Sequence, residues 1–220
     1  LQDYMDKAFK ELFFKVPEDE RPEYNGVQLI NSAVIVSYLK QLFRNDLQYA
    51  PFSMEAMEKG VAEDIDIATP KGVIKSRIGG IIDRIDSKEG TLRIVDYKTG
   101  GSPKTPTDVA SLFIPSEARP NYIFQTFLYA AIMQRKQPLK VAPALLYIHR
   151  AASEDYSPVI EMGEARKEKI PVDDFSVFEE EFRESLDSLL SEIFNPEESF
   201  TQTEVARNCE YCDFKALCKK

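Results

Sequence analysis

Asp83, Asp96 and Lys98 are the residues whose types and spacing best suit chemistry in this sequence. Asp83 is expected to end one strand, in GGIIDR, and Asp96 and Lys98 to lie on the next, in IVDYKTG. Side chains alternate along a strand, so positions 96 and 98 share a face. A tight turn near 87–90 pairs the two segments as a hairpin and sets Asp83 close to Asp96. Two carboxylates there repel each other and lose hydration. A hard divalent cation relieves both costs. Mg²⁺ takes one or two carboxylates, a backbone carbonyl (Tyr97 is placed to give one) and several waters, and leaves room for phosphate oxygens. The chemistry implied is attack of an activated water on a phosphate, with Lys98 holding or polarising the water. A lone D-x-K is most often an exposed ion pair. This one follows G-x-x-D-R, sits on a strand of suitable length and precedes a glycine loop.

The elements around these residues are legible from periodicity. Residues 3–15 read as a helix with Tyr4, Ala8, Leu12, Phe9 and Phe13 on one side, and 17–26 as a polar loop. Residues 27–48 carry a helical apolar stripe through Leu29, Ile30, Ala33, Val34, Val36, Leu39, Leu42 and Phe43. Residues 53–67 fit a strand with a bulge better than a short helix. Residues 71–98 read as a hairpin, with SKEG as its turn. Residues 100–120 hold four of the 13 prolines and read as a long loop. A strongly apolar helix follows over 121–135, with Asn121 as its N-cap. VAPALLYIHR (141–150) reads as a buried strand, VIEMG (159–163) as an edge strand and 173–194 as a long amphipathic helix. The order helix, three strands, helix, strand predicts an α/β core around a mixed sheet.

Composition bounds the partners. The 220 residues carry 28 Lys+Arg against 37 Asp+Glu, a net charge of −9, so a uniformly basic nucleic-acid coat is excluded. The charge is uneven. Residues 71–104 hold eight basic side chains against four acidic ones, and 173–204 hold eleven acidic ones against Arg183 alone. Arg77, Arg84 and Lys104, in the positive segment, are candidate phosphate contacts. A single histidine, His149, excludes HExxH and multi-His metal centres. No apolar run is long enough to cross a membrane. The three cysteines crowd the last dozen residues, which argues against a secreted disulfide scaffold and for a reducing, cytoplasmic compartment.

GGIIDRID followed by IVDYKTG resembles the PD-(D/E)xK nuclease superfamily, in its RecB/AddB-like exonuclease branch. The resemblance covers roughly residues 27–220, with its specific motifs in 79–129. It implies a restriction-endonuclease-like α/β fold: a mixed central sheet flanked by helices, then a long C-terminal amphipathic helix and a Cys-containing tail. It implies a Mg²⁺- or Mn²⁺-dependent DNA phosphodiesterase, acting on single-stranded DNA in recombination or repair, often beside a helicase. Gln125 and Tyr129 match the branch's Q-x-x-x-Y motif, and their i, i+4 spacing puts both on one helical face. The branch also supplies a Glu from the first core strand. Glu55 and Glu58 are candidates, and the surrounding pattern favours Glu58. The sequence departs from the branch in lacking a His on its first helices. His149 does not match that position and reads as structural. The alternative reading is a non-catalytic module that keeps the fold and binds DNA or a helicase.

Cys209, Cys212 and Cys218 form C-x₂-C-x₅-C, a spacing that suits a thiolate-bound metal. Zn²⁺ completed by His149 or water, and a metal-free remnant, are both open from the residues alone. The resemblance implies a [4Fe–4S] cluster closed by a fourth, upstream Cys in a full-length protein. The domain expectation is one nuclease domain over 1–220: a helical part to residue 50, a catalytic core over 51–150 and a helical C-terminal part over 151–220. The absence of an initiator Met makes the chain read as a piece of a larger protein, poorly active in isolation.

Overall fold

The computed structural model describes residues 1–17, 20, 22–153 and 155–219. Its contacts divide the chain into two compact units. The first comprises Leu1–Pro51, Lys98–Gly101 and Tyr147–Ser157. It opens with α1 (Gln2–Ala8), which passes into a π-helical turn over Phe9–Phe14 and stops at Lys15 in the left-handed conformation, φ 54°. One continuous helix over 3–15 is the sequence expectation. The widened turn lets Phe9, Phe13 and Phe14 gather, with Tyr24 stacked on Phe9 at 5.8 Å. The second helix, α2 (Gly26–Tyr49), begins with a capping box: the Asn25 side chain accepts the Gln28 amide, and Gln28 Oε1 accepts the Asn25 amide. Its apolar stripe is only partly used. Val36 is buried, but Leu29, Ile30, Val34 and Phe43 are exposed. His149 lies in a 3₁₀ turn, Ile148–Arg150, and not on the strand expected there. It meets the Tyr147 ring edge-on.

The second unit comprises Phe52–Tyr97, Ser102–Leu146 and Pro158–Lys220. It is built on the sheet strands β1 (Ser53–Thr69), β2 (Gly72–Lys88), β3 (Thr91–Lys98) and β4 (Lys140–Tyr147), in the order β1-β2-β3-β4. The pairs β1/β2 and β2/β3 are antiparallel. The sheet is mixed, so β3/β4 is its parallel pair. A parallel pair needs a crossover, and α3 (Asn121–Gln134) supplies it. Helices flank the sheet, which gives the restriction-endonuclease-like α/β class. Lys88 pairs with Thr91, so the β2–β3 loop is Glu89-Gly90, with φ 50° and 78°. Two consecutive positive φ values define the turn that matches strand twist, and glycine meets the second without strain. A two-residue turn permits no slack in register, and this one sets the pairing below. β5 (Glu161–Met162) and β6 (Ile170–Pro171) form a small second ladder, while Val159 bridges Ala144 of β4.

Two further details differ from the sequence expectation. Asp83 does not end a strand, because β2 runs on to Lys88. Asn121 is not the N-cap of α3. Pro120 holds that position, and Asn121 is the first helical residue. The Pro120 carbonyl accepts the Ile123 and Phe124 amides, and the Asn121 amide donates to the Arg119 carbonyl.

The long acidic helix is α4 (Ser176–Ile193). The Asp174 carboxylate accepts the Ser176 amide at 3.1 Å and its hydroxyl at 2.7 Å. The Ser176 hydroxyl, more than the Ser176 amide or Lys140, holds this carboxyl below the ordinary aspartate value, against a smaller upward push from burial. Phe182 of α4 is fully buried among Phe113, Phe124, Phe127 and Phe175, with ring centroids 5.4–6.0 Å away. Phe182→Ala is expected to cost about 3–5 kcal/mol in urea unfolding. Asp174→Ala is expected to cost about 1 kcal/mol at neutral pH. A depressed carboxyl stabilises above its unfolded pKa, so the gap to wild type closes as pH falls below about 3.8. Melting curves of both proteins across pH 2–7 check this.

Candidate active site

The β2–β3 register builds the site. The β2–β3 ladder ends with Arg84 opposite Val95, and Asp83 and Asp96 are the residues that follow directly on each strand. Directly opposed residues share a face of the sheet. The Asp83 carboxylate bonds across the strands, accepting the Tyr97 amide at 2.8 Å. Asp96 is buried, 3% exposed, and Asp83 is half-buried. Lys98 is the last residue of β3 and is half-buried. Alternation along the strand turns it to the same face as Asp96.

Glu58 on β1 occupies the register position across from Asp83, between the pairs Met57–Arg84 and Lys59–Ile82. It is exposed and has a positive φ of 48°, which breaks the strand's regular alternation. Glu55 sits at the bulge between Met54 and Ala56 and accepts a hydrogen bond from the Ser87 hydroxyl. Among the described residues, no three Asp, Glu, His or Cys side chains converge on one metal position. The donors on hand are two carboxylates and the Tyr97 carbonyl. All are hard oxygens, and Mg²⁺ or Mn²⁺ requires no more than one or two protein carboxylates. The set therefore fits such a cation. Asp83 keeps lone pairs for it after accepting one amide.

Behind this pair lies an ionic network that sequence reasoning missed. Asp86 is fully buried. It accepts Arg84 Nε at 2.9 Å on one oxygen, and Arg93 Nε and an Arg93 terminal nitrogen at 2.9 and 2.7 Å across both. Arg84 also donates to the Tyr97 hydroxyl at 3.2 Å, and its guanidinium lies 4.8 Å from the Phe52 ring centre. Arg84 is 1% exposed. The expectation that Arg84 meets phosphate at the surface is therefore corrected: its charge is spent inside the fold. The sequence signal was D-R-x-D itself, whose alternation puts Arg84 and Asp86 on the face opposite Asp83.

The other expected contacts are placed as follows. Arg77 is exposed and pairs with Asp64 across β1/β2 at 3.2 Å. Lys104 is exposed and donates to the Ala118 and Arg119 carbonyls, closing the long loop on itself. Gln125 donates to the Tyr129 hydroxyl at 3.1 Å. Tyr129 is buried against β2, where a Cβ added at Gly80 would fall 2.5 Å from its hydroxyl. Cys209 and Cys218 are half-exposed and Cys212 exposed, in a tail of turns and one short helix, α5 (Arg207–Glu210). These thiols are not drawn together into a metal site, so no cluster chemistry is derived from them. A cleft of about 820 Å³ lies elsewhere in this unit, between β1, β2, α3 and α4. Its Glu63 is held by Arg135 and Arg183, and neither Asp83 nor Asp96 lines it.

Comparison with known proteins gives one family. The family model for the PD-(D/E)XK nuclease superfamily matches residues 1–219. No curated protein matches the chain. A solved structure titled "Crystal structure of SSO0001" aligns over 98% of this chain and 95% of its own, at 12% identity and a TM-score of 0.32, too low to carry an argument.

The Gly80 contact generates a packing prediction. Gly80→Ala drives a methyl into Tyr129 and is expected to cost about 1–3 kcal/mol. Adding Tyr129→Phe removes the nearest atom, leaving ring carbons at 2.9 Å and beyond, and is expected to recover part of the loss. Urea midpoints of the two single variants and the double variant measure the coupling.

Proposed function

The chain belongs to the PD-(D/E)XK nuclease superfamily, and on that premise we propose that it is a divalent-metal-dependent deoxyribonuclease centred on Asp83 and Asp96. The observation that carries this reading is that Asp83 and Asp96 follow directly on the last ladder pair, Arg84–Val95, with the Tyr97 amide bonded across the strands to the Asp83 carboxylate. Like charges are rarely set opposite one another in a sheet without a use. Asp83, Asp96 and the Tyr97 carbonyl would hold Mg²⁺ or Mn²⁺. The ion supplies, when bound, Lewis-acid polarisation of the phosphate and a more acidic water. Lys98 orients the attacking water beside the scissile phosphate and offsets charge that builds on it. Gln125 and Tyr129, bonded to each other on α3, brace the site from the helix, and Glu58 serves from the first strand. Arg77 and Lys104 are the exposed cations available to the substrate backbone.

Single-stranded DNA is the proposed substrate, cut from an end in recombination or repair in the cytoplasm beside a helicase, after the branch resembled by the motifs. The domain is proposed to act as one nuclease domain of a larger protein. The tail cysteines would bind a [4Fe–4S] cluster or zinc there only with a further ligand. No helix among the described residues is long and apolar enough to span a membrane.

The test uses the full chain with linear and circular single-stranded DNA and with duplex DNA, each with Mg²⁺, Mn²⁺ or EDTA. The expected result is cutting of linear single strands with either metal and none with EDTA. Asp83→Asn, Asp96→Asn and Lys98→Ala should each lower the rate by about 100-fold or more. Circular DNA left intact supports end-dependent action. DNA bound but never cut under any metal would overturn catalysis in favour of a binding module.

A further inference from the structure

We infer that the buried Arg84–Asp86–Arg93 network is a positioning clamp for the proposed metal site, acting through Tyr97. The inference rests on the reading of Asp83 and Asp96 as metal ligands. Tyr97 is the only residue between Asp96 and Lys98, and it is held at two points. On one face of the sheet its hydroxyl accepts Arg84 at 3.2 Å. From the backbone its amide donates to Asp83 at 2.8 Å. Its own carbonyl is the third proposed donor. A change in the tilt of this one residue therefore moves the Asp83 carboxylate, the carbonyl donor and the strand that carries Asp96.

The clamp is rigid for a physical reason. Arg84 alone could swing, since its side chain has many rotamers. Asp86 stops it by accepting Nε, and Arg93 locks Asp86 through two further bonds. The Phe52 ring closes on the guanidinium. All three charged groups are almost wholly out of water: Arg84 at 1%, Asp86 at 0% and Arg93 at 6% exposure. Burying three charges solely for stability is a poor device, because apolar residues of similar volume do as well or better. Charge-assisted bonds differ in fixing geometry. Here the geometry they fix ends at Tyr97. Groups that orient metal-binding residues in this way commonly change metal affinity 10- to 100-fold when altered.

Tyr97→Phe isolates the clamp, because it deletes only the hydroxyl that Arg84 reaches. Mn²⁺ binding is read by calorimetry and by the ion's paramagnetic resonance, together with hydrogen exchange at the residue 97 amide relative to that of Val95. The expected result is Mn²⁺ affinity weakened about 10-fold, faster exchange at position 97 than at Val95, and a melting temperature close to wild type. Asp86→Asn should weaken Mn²⁺ binding further, and Asp86→Glu should recover part of it. Lys167→Gln, on the surface beside Glu164, should leave binding unchanged. Wild-type affinity and exchange in Tyr97→Phe, with binding lost in Asp83→Asn, would overturn the clamp alone. No Mn²⁺ binding by the wild type, or binding untouched by Asp83→Asn, would overturn the metal-site reading and the clamp with it.

Discussion

Arg84 faces Val95, and that register brings Asp83 across from Asp96. The constraint has two ends. One is the Glu89-Gly90 turn, which admits no shift without stretching the backbone. The other is the alternation of the pleat: a one-residue slip would turn Asp96 to the opposite face and bring Arg93 and Val95 around with it. Ile94 and Val95 are both fully buried. Such a slip would therefore exchange buried apolar side chains for buried ions, and the fold resists it strongly.

The same segment carries two polar systems back to back. Asp83, Asp96 and Lys98 alternate to one face, and Arg84, Asp86, Arg93 and Tyr97 to the other. The second system sets two guanidiniums on one carboxylate and so keeps a net positive charge inside the fold. The first holds two like charges, one buried and one partly open to solvent. Residue 97 joins them, its hydroxyl on the Arg84 side and its amide on Asp83.

The remainder of this unit supports the hairpin along its length. Strands of 17 residues are too long for a free ribbon. α3 and α4 cover them, with Phe127 and Phe182 buried beneath and Arg183 bound to Glu63 of β1. α4 thus docks onto the sheet through Arg183, its one basic residue, and its Asp187 lines the same cleft as Lys75 and Arg77.

Much of this could be read without coordinates. Strand periodicity, the two-residue turn and the helix at 121–135 depend on neighbours in sequence, so residue order determined them. The pairing of Asp83 with Asp96 followed from a turn position and a count. Burial did not follow, because it depends on residues far apart in the chain. Arg84 looks like a surface cation until Asp86, Arg93 and Phe52 are seen to close over it. The apolar stripe of α2 looks like core, yet much of it is exposed. C-x₂-C-x₅-C has the spacing of a ligand set, and spacing alone does not say whether three thiols meet. Sequence alone determined which side chains alternate and turn together, since those rules are local. Tertiary structure decided which charges leave water, since desolvation is a property of everything packed around a group.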